Sequence, residues 1–191
     1  MYQQLREYLS CHLDKNHSKF VVSYLDTIPS DTLKIKFDIR FLENNLKTDW
    51  ALVLLAVSSE YISPDSILSF AMTNLNEESS EAEMRIAIEG LEESPDWFAL
   101  DNLIPSLVGE VRFSSWPIAY EKLFYAAVLW VYGHWDAFED PSEALFTVWD
   151  DFGGISIGRS LSYHDSWTSD CRTLEGRSSH MKSVCEDFIR K

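Results

Sequence analysis

The stretch from Glu121 to Phe152, EKLFYAAVLWVYGHWDAFEDPSEALFTVWDDF, admits few folds. Leu123, Phe124, Ala127, Trp130, Val131 and Trp135 recur at helical spacing, which turns one face of a helix inward. Ala126, Val128, Leu129 and Tyr132 cover much of the remaining surface. A helix apolar on most sides belongs in the middle of a bundle. Pro117 lies just upstream and suits a first helical turn. Asp140 then offers a cap, Pro141 a first-turn residue and Glu143 a side chain able to reach back. Ala144, Leu145, Val148 and Trp149 form the inner stripe of this second helix, and Gly153-Gly154 stops it. The short acidic turn between the two predicts an antiparallel hairpin.

The flanks carry similar punctuation. Residues 2–14 read as an amphipathic helix through Tyr2, Leu5, Leu9 and Leu13, and Asn16 or Ser18 caps a shorter one ending near Pro29. Leu33, Ile35, Phe37, Ile39 and Phe41 then alternate with polar residues, a strand signal whose partner would be 154–161; a helix over 31–46 competes with it. Further on, Trp50, Val53, Leu54 and Val57 mark a helix, and Ser63-Pro64-Asp65 starts another with Ile67, Leu68, Ala71, Met72 and Leu75 inward. Ser80 with Glu83 makes a capping box ahead of Met84, Ala87, Ile88 and Leu91. Ser94-Pro95-Asp96 repeats the cap, proline and acid ahead of Trp97, Leu100, Leu103 and Ile104, where Pro105 should kink or end the helix. Gly109 to Trp116 reads as a connector, and a last helix runs from Ser178 or Ser179 to Ile189. The reading is a mainly α, irregular multi-helix bundle with at most a small β element near 33–41 and 154–161. It is one domain over 1–191: an appendage, 1–47, packed on a helical core, 48–155, then a loop and helix over 156–191.

Charge is the feature that bears on function. The net charge is −15, and residues 51–158 hold 19 acidic side chains against Arg85, Arg112 and Lys122, for −16. That field repels nucleic acid and anionic membranes and draws basic partners inward; the alternative reading is a solvated surface that keeps the protein soluble. No apolar run is long enough to span a membrane, and the N-terminus lacks the basic-then-apolar order of a signal peptide. Cys11, Cys171 and Cys185 are odd in number and far apart, which fits a reducing cytoplasm.

Catalytic patterns are missing. His12, His17, His134, His164 and His180 do not converge with the cysteines at metal-ligand spacing. There is no Gly-x-Ser-x-Gly, and Gly153-Gly154 to Gly158 lacks the lysine of a phosphate-binding loop. The carboxylate pairs Glu92-Glu93, Glu139-Asp140 and Asp150-Asp151 read as solvated helix ends. The expectation is no catalytic residue, no metal and no cofactor.

Tyr61-Ile62-Ser63-Pro64-Asp65 and Leu129 to Phe152, with Asp140-Pro141 and Trp149-Asp150-Asp151-Phe152, resemble a family of small bacterial helical proteins of unknown function. The resemblance covers roughly 48–155, and Gly153-Gly154-Ile155 replaces the acidic-proline turn usual in that family. Candidate immunity proteins of toxin systems occur in it. The resemblance and the charge together suggest a cytoplasmic immunity protein that binds a basic toxin, a nuclease above all, without turnover. Its contact residues would be Glu89, Glu92, Glu93, Asp96, Asp136, Glu139, Asp140, Glu143, Asp150 and Asp151, with Trp135 or Phe138 as anchors. A helical adaptor or scaffold without a toxin partner is the alternative.

Overall fold

A computed structural model describes residues 5–10, 29, 31–161 and 173–190; the expected helix near 16–28 lies outside them. Every regular element among the described residues is a helix, with no strand among them. Contacts divide the chain into two compact units: 1–28 with 36–120, and 29–35 with 121–191.

In the first unit, residues 5–10 are helical, with Leu5 and Leu9 buried. They are followed by α1 (Ile39–Asn45), α2 (Trp50–Ser58), α3 (Asp65–Asn74), α4 (Glu81–Glu89) and α5 (Trp97–Glu110). α6 (Ser115–Gly133) begins here and continues into the second unit. α2 is the centre of this unit. Every residue from Ala51 to Ser58 is buried, as a helix apolar on all sides requires. Asp49 caps it by accepting from the Leu52 N–H. It ends with Glu60 in the left-handed region (φ 64°), and the Tyr61 N–H turns back onto the Ala56 carbonyl.

The alternating stretch is neither the strand nor the 31–46 helix expected of it. Lys34 has φ 56°, which breaks an extended run, and Asp38 caps α1 by accepting from the Phe41 N–H. Ile35 and Phe37 alternate inward on an irregular segment. The backbone there is satisfied by single bonds, such as the Phe37 N–H to the Tyr61 carbonyl at 3.1 Å, and by no ladder. The stretch paired with it in the strand reading forms a 3-10 segment, Ser156–Leu161.

Several helix starts differ in detail. Ser80 and Glu83 form the full capping box. Ser63 makes no side-chain cap; its carbonyl accepts from Ser66 instead. At 94–96 the cap is Asp96, not Ser94, with its carboxylate receiving the Phe98 and Ala99 N–H groups. Pro105 does not end α5, which runs on to Glu110, so the connector shortens to 111–114. The inward stripes of α3 and α4 are narrower than their apolar residues suggest. Ile67, Leu68 and Ala71, and Ala82, Ile86 and Ala87, are buried, whereas Met72, Leu75, Met84, Ile88 and Leu91 are exposed.

In the second unit, α6 leads through a 3-10 turn (Trp135–Ala137) to α7 (Pro141–Asp151), the 3-10 segment, and α8 (Leu174–Ile189). Phe124 of α6 meets Phe152, just past α7, edge-on at 5.3 Å. Phe188 of α8 closes on Phe124 from another side at 5.8 Å. α8 starts earlier than Ser178 because Thr173 caps it, accepting from the Gly176 N–H. Gly153 and Gly154, at φ 64° and 70°, end α7. The strap 29–35 is tied to this unit by Thr32, whose N–H and hydroxyl donate to the two Asp151 oxygens at 2.7 and 2.6 Å.

An acidic groove as the candidate functional site

The turn between α6 and α7 gathers four of the expected contact residues into one place. Phe138, Glu139, Asp140 and Glu143 line an open groove of about 410 Å³, together with Leu33, Ala144 and Thr147. Phe138 is half-buried and packs edge-on to Trp130 at 6.2 Å, which holds its ring at the groove wall. Glu139 and Glu143 are exposed. Asp140 is held in place because its carboxylate accepts the Ser142 and Glu143 N–H groups at 3.0 and 3.2 Å. An apolar floor under three carboxylates can take the alkyl stem of a lysine or arginine and meet its cation at the rim. Asp140→Ala is expected to lower the unfolding free energy by about 1 kcal/mol through loss of the cap, measured by denaturant titration.

The other expected residues fall elsewhere. Trp135 is not an accessible anchor. It is buried, its indole N–H donates to Ser178 Oγ at 3.1 Å, and Lys182 Nζ lies 5.9 Å from its ring centroid. It follows the end of α6 and is covered by α8, a neighbour 43 residues away in sequence. Asp136 is exposed in the 3-10 turn, and Asp150 is exposed at the end of α7. Asp151 is occupied by Thr32. Glu89, Glu92, Glu93 and Asp96 form their own turn in the first unit. There the Glu89 carboxylate accepts the Asp96 N–H at 3.2 Å, and Asp96 caps α5. Glu92 and Glu93 are exposed. The structure therefore brings Phe138, Glu139, Asp140 and Glu143 together in the groove, and the other expected residues do not line it.

Leu33 and Thr147 are groove residues that the sequence reading missed. Thr147 lies one helical turn beyond Glu143, so the α7 periodicity could have found it. Nothing local ties Leu33 to a helix more than a hundred positions away.

Among the described residues no group of three His, Cys, Asp or Glu side chains is placed to hold a metal ion. Cys185 is fully buried, and burial, with the nearby Glu186 charge adding to it, pushes its thiol up to about 12. Such a thiol stays protonated and is a poor nucleophile. Tyr132 donates to Glu186 Oε1 at 2.9 Å, and this bond holds its phenol above the ordinary range. No described helix is long and apolar enough to cross a membrane.

No curated protein and no solved structure matches the chain. Residues 39–154, from the start of α1 to the glycines after α7, match the family described as an uncharacterized protein conserved in bacteria, DUF2247. That match covers more than half of the sequence and includes most of the groove, and the chain belongs to this bacterial family.

Proposed function

We propose that this protein is an immunity-type inhibitor, which binds and neutralises a cognate toxin domain of basic character in the cytoplasm. The observation that carries the reading is the groove at Phe138 to Thr147, an apolar floor rimmed by Glu139, Asp140 and Glu143. It sits in the part of the chain whose 51–158 segment carries −16. A nuclease is the toxin class that fits best, because a surface that holds phosphate backbones has to be basic. The acidic field speeds capture of such a surface, and the groove receives one of its cationic side chains. The function is binding, without turnover, cofactor or direct contact with nucleic acid or membrane.

The test has two steps. The tagged protein is first purified from its native host at moderate salt; a stoichiometric basic domain that elutes as salt rises supports the reading. Glu139→Lys/Glu143→Lys is then compared with the unaltered protein, leaving Asp140 in place for its cap. Both side chains are exposed, and reversing the Glu143 charge in the first turn of α7 should cost about 1 kcal/mol at most, so the fold should hold. Affinity for the captured domain should fall about 100-fold at low salt, and its salt dependence should flatten. Unchanged affinity with unchanged salt dependence would remove the groove from the interface.

A further inference from the structure

Two features that cost stability where they stand occur together at the strap 29–35, which packs in the same unit as α7. Asp151 is the last residue of α7, where a carboxylate faces the negative end of the helix dipole and no basic side chain in that turn offsets it. Lys34 has φ 56°, a left-handed conformation that the Cβ of any residue but glycine opposes. Local costs of this kind persist where the surrounding structure imposes them, and they collect at sites that have to be held in one shape. Both bear on the same residue, Leu33.

On one side of Leu33, Asp151 takes both polar groups of Thr32. The N–H donates to one carboxylate oxygen at 2.7 Å and the hydroxyl to the other at 2.6 Å, which fixes Thr32 in orientation as well as in place. On the other side the chain closes on itself. The Lys34 N–H donates to the Asp31 carbonyl at 3.2 Å, and the Ile35 N–H to an Asp31 carboxylate oxygen at 2.8 Å. The Ile35 side chain is buried and anchors that end. Leu33 is thus held from both sides, and it is the residue that the strap contributes to the groove lining. We infer that Thr32 and Asp151 form a clasp that sets Leu33 in the groove, and are positioning residues of the binding site although neither lines it. This rests on the reading of the groove as the place that receives a cationic side chain. A lining residue set in advance spares the partner the cost of ordering it. The coupling is reciprocal, so an occupant of the groove should in turn hold the clasp shut.

The test uses the isotope-labelled full chain and the n-butylguanidinium ion, an alkyl stem ending in an arginine-type cation, titrated by NMR at constant ionic strength. Thr32→Val removes the hydroxyl and leaves every charge in place, whereas Thr32→Ser keeps both donors. Without the ion, Thr32→Val is expected to speed amide exchange over 31–35 about tenfold and to leave α6 and α7 as they are. Thr32→Ser should exchange like the unaltered protein. With the ion, Thr32→Val should bind about fivefold more weakly and Thr32→Ser as tightly as the unaltered protein. In the unaltered protein the bound ion should slow exchange of the Thr32 N–H. Unchanged exchange in Thr32→Val would show that the hydroxyl does not hold the strap. Faster exchange with unchanged affinity would show that the strap is no part of the site. Either result overturns the inference and leaves the binding seen in the unaltered protein, and the groove reading, intact. An unaltered protein whose Leu33 and Thr147 signals do not respond to the ion would instead refute the groove as a cation site, and the inference with it.

Discussion

Gly158→Ala is expected to destabilise the protein by about 3 kcal/mol, at the upper end of ordinary overpacking costs, and Gly158→Val to prevent folding. Gly158 is buried in the 3-10 segment, and a Cβ there would stand inside contact distance of the Phe124 ring and 2.9 Å from Trp149 Cδ1. Neither wall yields readily. Phe124 is fully buried, with Phe152 and Phe188 edge-on against it. Trp149 is pinned by its indole N–H, which donates to the Ile155 carbonyl at 3.0 Å. Flexibility is not what the glycine supplies; it supplies room for two rings. The check is a denaturant titration of Gly158→Ala, Phe124→Leu and the pair. Coupling is expected, with the double variant less destabilised than the sum of the singles by about 1 kcal/mol, because the smaller side chain vacates the space the new methyl needs. Simple additivity would show that the strain is relieved elsewhere.

Cys185 should make the protein lose stability in alkali. An ordinary thiol titrates near 9.0, whereas here burial first, and the Glu186 charge second, push it up to about 12. The folded state therefore holds the thiol proton more tightly than the unfolded chain does. Its contribution is fully present below pH 9 and is lost as pH rises from there towards 12, at about 1.4 kcal/mol per pH unit. Between pH 8 and 10.5 the unaltered protein is expected to lose about 2 kcal/mol more unfolding free energy than Cys185→Ala. Parallel declines in the two proteins would mean that the thiol is not held in a dry site. Cys185 is in the last two turns of α8, so the same comparison reports whether that helix stays docked in alkali.

How much of this could be read from the chain depended on how local the cause was. The Ser80–Glu83 box, the Asp140 cap with Pro141, and the Gly153-Gly154 stop were legible because each acts within a few residues. The stretch around Ile35 and Phe37 was not. Alternation of apolar residues reports only that every second side chain points inward, and an irregular segment anchored at Tyr61 produces the same pattern as a strand. The site divided in the same manner. Glu139, Asp140 and Glu143 could be named from the turn itself, but Trp135 disappears beneath α8, and Leu33 arrives from the far end of the sequence. Met72, Met84 and Ile88 were indistinguishable from core positions at helical spacing, because a pattern of apolar residues does not say whether anything covers them.

The strap at 29–35 has a consequence for any attempt to take the protein apart. The second unit is discontinuous, since those seven residues precede the whole of 36–120 and yet pack with 121–191. A gene fragment beginning at residue 121 encodes Asp151 without Thr32, and Phe138 without Leu33. A fragment trimmed to the family likeness, 39–154, loses α8 as well, and with it the Phe188 ring over Phe124 and the Ser178 hydroxyl under Trp135. The portion that matches the family thus leaves out side chains that pack against it, and a fragment starting at 121 lacks Thr32 and Leu33, which tie the strap and complete the groove wall.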